Sequence, residues 1–125
     1  MFNYSQPTGR LSEDGTLVGT GYSGFGDDKN VDADQSIPNL GPIPVGEYEM
    51  SEPYTDPEKG VLCFRLTPKP GNQMYGRSGF LLHGDSISHP GAASHGCIVM
   101  GHAIRQVVAD SGDRDLTVVA CEELI

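Results

Sequence analysis

Glycine and proline recur along this chain at a density that long helices do not survive, with 17 glycines and 9 prolines in 125 residues. Glycine supplies the positive-φ corners of tight turns, and proline fixes φ and withholds a backbone donor. Between them stand short β-branched or aromatic runs, as at residues 60–67 and 115–121. The combination predicts many turns and short strands.

Residues 11–20 carry Asp14-Gly15 between two short apolar pieces, a hairpin signal. Residues 19–39 are rich in Gly, Asp and Asn with little periodicity and read as a long loop, functional or mobile. The segment Gly41-Pro42-Ile43-Pro44-Val45-Gly46 is a rigid turn feeding a strand over 47–50, and 51–59 is a polar connection. Strands are predicted over 60–67, 80–83 and 115–121, with a further ordered element starting at Cys97. Ile104, Val107 and Val108 fall at helical spacing before Gly112, so 103–110 is the one predicted helix, with Arg105 off its apolar face. The predicted fold is mostly β, a sandwich or barrel with one short helix after Cys97, in a single domain spanning 1–125.

A formal net charge of −9 argues against nucleic acid or an anionic membrane surface as partner. No apolar run reaches membrane-spanning length, and residues 1–6 lack the basic and apolar regions of a secretory signal. The chain is therefore expected to be made in the cytoplasm and to reach any outside substrate by another route. Of the three cysteines, Cys63 and Cys121 sit in apolar strands and read as small buried hydrophobes, with a disulfide between them left open. Cys97 alone has a polar, glycine-rich setting.

That setting points to chemistry. Cys97 follows His95 by two residues and His83 by fourteen, with Ser94 and Gly96 beside it. Sulfur attacks carbonyls as the thiolate, so a catalytic cysteine needs a neighbour that takes its proton or offsets its charge. Two histidines meet that need, and open backbone at Gly96-Cys97 provides candidate oxyanion donors, aided by the N-terminus of the nearby helix. His89 and His102 read as solvated surface residues.

The order His83 … Ser94-His95-Gly96-Cys97-Ile98 resembles the signature of YkuD-type L,D-transpeptidases, as does Ile43-Pro44-Val45-Gly46-Glu47-Tyr48 upstream. The fuller resemblance is to the type VI secretion L,D-transpeptidase effectors that act on peptidoglycan. It covers residues 4–11, Gly21-Tyr22-Ser23-Gly24, Gly41-Pro42-Ile43-Pro44, His83-Gly84-Asp85, Pro90-Gly91, 93–98 and Arg105. Two departures stand out. The spacer between His83 and Ser94 is short, which implies a trimmed lid, and Val99 stands where an arginine commonly follows the nucleophile, leaving Arg105 to supply the cation.

The resemblance implies that Cys97 is the nucleophile and His83 the base, or its ion-pair partner, with His95 orienting the site or binding substrate. Gly96 and Cys97 would hold the oxyanion, while Gly84, Ser94 and Asp85 support the site, unless Asp85 instead sets the His83 tautomer. Tyr22, Ser23 and Arg105 would touch substrate, with a surface salt bridge the competing role for Arg105. The implied reaction cleaves the L,D-bond before the terminal D-alanine of tetrapeptide stems, or exchanges that residue, without metal or organic cofactor. The implied setting is a target cell's periplasm, with a cognate immunity protein as partner. Two other readings use the same residues: a zinc site built from His83, Asp85, His89, His95, Cys97 and His102, and a non-catalytic wall-binding module.

Overall fold

A computed structural model describes residues 1–86, 88, 91 and 94–120. Ten strands and one α-helix follow in chain order: β1 (Phe2–Ser5), β2 (Arg10–Glu13), β3 (Thr16–Thr20), β4 (Tyr22–Ser23), β5 (Gly46–Met50), β6 (Tyr54–Asp56), β7 (Gly60–Pro68), β8 (Leu81–His83), β9 (Ile98–Val99), α1 (His102–Ser111) and β10 (Asp115–Val119). The strands form one sheet in the order β3-β2-β1-β10-β5-β7-β8-β9-β4, with β6 paired to β7 beside that path. Its two end strands, β3 and β4, are separated in the chain by Gly21 alone, so the sheet nearly closes into a barrel. The mostly-β expectation with one helix holds.

Gly21 is the seam. Its N–H donates to the Gly9 carbonyl at 2.8 Å, and a Cβ at this position would lie 1.8 Å from the Val99 carbonyl oxygen. Backbone cannot yield as a flexible side chain would, so Gly21→Ala is expected to destabilise the fold by about 3 kcal/mol, at the upper end of overpacking costs. Thermal unfolding should show a Tm lower by about 10 °C, the scale such a loss implies for a chain of this size. An unchanged Tm would mean that the seam has room.

Alternation along the strands builds the core. Phe2 and Tyr4 of β1, Tyr48 and Met50 of β5, Phe64 and Leu66 of β7 and Leu116 and Val118 of β10 all point inward and are buried. The β2–β3 hairpin turns on Asp14 (φ 49°) and Gly15 (φ 89°), the pair of positive φ angles that a two-residue Asp-Gly turn requires. The stretch 19–39, expected as loop throughout, contains β4 and two 3₁₀ turns, Gly26–Asp28 and Asp32–Asp34. Within 51–59 the short strand β6 lies against β7.

Helix α1 stops at Gly112, which adopts φ 70° in the left-handed region, as expected of a terminating glycine. No side chain caps its start, and its first turn has no acidic residue and its last no basic one. Packing therefore holds it. The buried stripe runs through Ile104, Arg105 and Val108, whereas Val107 is 45% exposed. The expected assignment of Val107 inside and Arg105 outside is thus corrected. No helix among the described residues is long and apolar enough to cross a membrane. Cys63 is a buried free thiol beside the Gly60 carbonyl, at 3.2 Å, whereas Cys121, like His89, Pro90 and Ala93, lies outside the described residues.

Candidate active site

Strands β8 and β9 run parallel, with Leu82 opposite Ile98 and His83 opposite Val99. One step back in that register sets Cys97 beside Leu81, whose N–H donates to Cys97 Sγ at 3.3 Å. Side chains alternate, so His83 and Cys97 share a face as diagonal neighbours on adjacent strands, within reach of long side chains. The register thus sets residues fourteen apart in sequence on one face of neighbouring segments, two positions out of step.

His83 is fully buried, and its Nδ1 lies 2.7 Å from the Gly84 carbonyl oxygen. A carbonyl only accepts, so Nδ1 carries the proton and Nε2 presents a lone pair. Among the described residues Nε2 has no hydrogen-bond partner. The direct imidazole–sulfur hydrogen bond expected from the motif is therefore not made; the half-buried sulfur accepts from Leu81 instead. Catalytic hydrogen bonds often close only around substrate. Asp85 does not set the His83 tautomer, since the Gly84 carbonyl does. The Asp85 carboxylate instead accepts from Tyr22 Oη at 2.6 Å and from the N–H groups of Ser86 and Gly91, at 2.8 and 3.0 Å.

Burial pushes the Cys97 thiol above its ordinary range, a shift that the Leu81 N–H and the charges of Lys59 and Arg77 only partly offset. Burial likewise lowers the His83 imidazole, against the opposing pull of the Gly84 carbonyl. Both groups favour their uncharged forms, so the resting state is thiol and imidazole rather than thiolate and imidazolium. Helix α1 starts at His102, five residues past Cys97, with β9, Met100 and the N-cap Gly101 between them. The alkylation rate of Cys97 is therefore expected to climb steadily from pH 7 to beyond pH 9 as the thiolate fraction grows. A plateau starting below pH 7 would show the ion pair instead.

A single hydroxyl shapes the loop that carries Cys97. Ser94 Oγ donates to the Cys97 carbonyl at 2.5 Å and accepts from the N–H groups of Gly24, at 2.9 Å, and Gly96, at 3.1 Å. The Gly96 N–H, expected at the oxyanion, is therefore already engaged. Gly96 has φ +134°, and a Cβ there would lie 2.4 Å from Arg77 Nη2, so both conformation and space demand glycine. Ser23, expected along the substrate groove, is fully buried; its Oγ donates to the Gly96 carbonyl and accepts from the Ile43 N–H, both at 2.9 Å. It braces the loop from behind. Tyr22, half-buried, is tied to Asp85 and lies under the Lys29 ammonium, 4.6 Å from its ring centroid.

His95 is exposed, stacks on Phe25 at 4.8 Å between centroids, and has Nδ1 3.0 Å from the Asn39 carbonyl. Together with Asn39, Arg77, Ser78 and Phe80 it lines a cleft of about 250 Å³. Phe80 directly precedes Leu81, whose N–H donates to Cys97 Sγ, so the cleft reaches the chain segment that contacts the sulfur, although Cys97 and His83 do not line it.

Arg105 holds neither of its expected roles. It is 7% exposed, with Nε donating to the Met100 carbonyl at 3.1 Å and Nη1 to the carbonyls of Val61 and Leu62, at 2.9 and 3.1 Å. Leu62 has φ 58°, an unfavourable conformation for a branched aliphatic residue, and Arg105 braces that kink in β7. A Cβ on Gly84 would meet Arg105 Nη2 at 2.6 Å, so a side chain there would have to displace a guanidinium held by the Met100, Val61 and Leu62 carbonyls. Two residues missed in the sequence bear on the site: Arg77 within Gly76-Arg77-Ser78-Gly79, and Lys59, whose charge acts on both His83 and Cys97. Neither belongs to a periodic pattern, and the glycines around Arg77 are its only local signal.

Among the described residues no three His, Cys, Asp or Glu side chains converge as metal ligands, so the zinc reading has no cluster to rest on there. A search of curated proteins found no match. A family model for the Tlde1 domain matches residues 18–121, most of the chain and the whole of the His83–Cys97 segment. The chain therefore belongs to the Tlde1 domain family, the type VI secretion L,D-transpeptidase effectors that act on peptidoglycan.

Proposed function

We propose that this protein is a cysteine-dependent L,D-carboxypeptidase that also exchanges terminal D-amino acids on tetrapeptide stems. The observation that carries the reading is the His83 ring: its tautomer is fixed by the Gly84 carbonyl and its Nε2 has no partner among the described residues, on the strand face it shares with Cys97. That is the arrangement of a base waiting for a proton.

In the first half-reaction the Cys97 proton moves to His83 Nε2 as sulfur attacks the carbonyl carbon of the third stem residue. The Cys97 N–H stabilises the oxyanion. When the carbon–nitrogen bond breaks, the proton on Nε2 passes to the departing amine, leaving a thioester and free D-alanine. Water then attacks, giving His83 its proton and regenerating the thiol; a D-amino acid amine attacking in its place completes exchange. Asp85 and Tyr22 hold the loop after β8, Ser94 and Ser23 hold the nucleophile loop, and His95 walls the cleft.

Incubation with purified tetrapeptide muropeptides tests this reading. Mass spectrometry should find tripeptide plus D-alanine, and, with a second D-amino acid present, a stem carrying it. Unchanged tetrapeptide in both samples would favour the non-catalytic wall-binding alternative. The same reading places the action in the periplasm of a target cell, with an immunity protein as antidote. Periplasm-directed expression should swell or lyse cells while cytoplasmic expression is tolerated; harmlessness in both compartments would contradict it.

A further inference from the structure

Arg77 is 8% exposed, yet no carboxylate among the described residues forms an ion pair with it, in a chain with 17 acidic residues against 8 basic ones. Its partners are neutral: Nη1 donates to the carbonyls of Gln35 and Pro42, and Nη2 to that of Gly41 at 2.9 Å. Three of the five donors of the fork are thereby engaged, and the other two have no partner among the described residues. The guanidinium carbon lies over the Phe80 ring, 5.1 Å from its centroid, and Nη2 abuts Gly96, the residue before the proposed nucleophile. None of the residues lining the adjoining cleft is acidic. A desolvated cation held by neutral carbonyls beside an open cleft lacks only an anion. The volume, about 250 Å³, falls below the range of drug-sized ligand sites and suits one small residue.

We infer that Arg77 and the cleft form a carboxylate subsite that receives the free α-carboxylate of a terminal D-amino acid, both the one that leaves and the one that enters by exchange. Planar two-point pairing with a guanidinium would orient that residue against the sulfur. The subsite restricts the enzyme to chain ends, because an internal peptide bond offers no carboxylate there. It deepens the proposed function and rests on it for the identity of the ligand, though anion binding beside Cys97 can be measured without that reaction.

The test uses alkylation of Cys97 in the whole protein by iodoacetate and by iodoacetamide, scored by peptide mass spectrometry with glutathione as reference. A net charge of −9 should repel iodoacetate. The subsite predicts the opposite, an acetate-to-amide rate ratio about tenfold above that of glutathione, the effect of one oriented charge-assisted contact. Excess D-alanine should suppress the iodoacetate reaction and D-alaninamide should not. Arg77→Gln should bring the ratio down to that of glutathione, and Arg77→Lys should retain part of the preference. A wild-type ratio at or below that of glutathione, unaffected by D-alanine, would overturn the subsite even if neither variant folds. In turnover, a tetrapeptide ending in D-alaninamide should react about 100-fold more slowly than the free acid, the penalty for leaving a buried polar group unpaired. Equal turnover of acid and amide would remove the subsite and leave the proposed reaction standing. If neither reacts, the reaction falls, and the alkylation ratio still decides the subsite.

Discussion

Replacing Cys97 with alanine or serine is expected to reduce D-alanine release from tetrapeptide muropeptides by at least about 10⁴-fold, the scale on which removing a covalent nucleophile acts. Serine has nearly the shape of cysteine but a far less acidic hydroxyl, and a neutral imidazole whose basicity is lowered by burial cannot ionise it appreciably. The loss should come without unfolding. Cys97 is half-buried, and its sulfur accepts one N–H bond from Leu81, which a serine oxygen can also accept. The loop around it is held by the Ser94 and Ser23 hydroxyls rather than by the thiol. Circular dichroism and Tm near those of the wild type, with turnover lost, are the expected pair of results. Turnover near wild type in either variant would eliminate the nucleophile.

The second large effect is expected at His83. His83→Gln should lower turnover by about 1,000-fold, within the range of a positioned general base. It should also slow alkylation of Cys97 near neutral pH, because the proposed base is gone. His95→Ala should cost less than about tenfold in the same turnover assay, the scale of one wall contact. The two histidines stand in the same motif, and the structure separates them. His83 is buried, with Nδ1 tied to Gly84 and Nε2 without a partner among the described residues, whereas His95 is exposed and stacked on Phe25. If His95→Ala proved the more damaging, the base would have to be reassigned to His95.

Much of the architecture was legible because it is encoded locally. Asp14-Gly15 announces its own hairpin, Gly112 its helix stop, and the runs behind β7, β8 and β10 their own strands. What escaped depends on distant partners. β1 is four residues long and is ordered by parallel pairing with β10, at the other end of the chain. β4 and β6 are shorter still and exist through β9 and β7. Closure through Gly21 cannot be read from a glycine among many.

The same divide runs through the site. The Cys97 and His83 segment was recognisable from residue types and order, whereas the status of each supporting group was not. Ser23 and Arg105 looked like groove residues but prove to be buried braces, because their partners are backbone carbonyls and N–H groups that carry no sequence signature. Arg77 escaped for the converse reason. Its environment is assembled from residues 35, 41 and 42, which only the fold brings near.

The central claim is that Cys97 forms a covalent bond to the stem peptide. Rapid quenching of the protein with a tetrapeptide muropeptide, followed by mass spectrometry of the intact chain and its peptides, tests it most directly. The account predicts a transient adduct of the tripeptide acyl mass, confined to the Cys97 peptide, released by hydroxylamine and absent from Cys97→Ala. Turnover with no adduct at any quench time, or an adduct on Cys63, would contradict it.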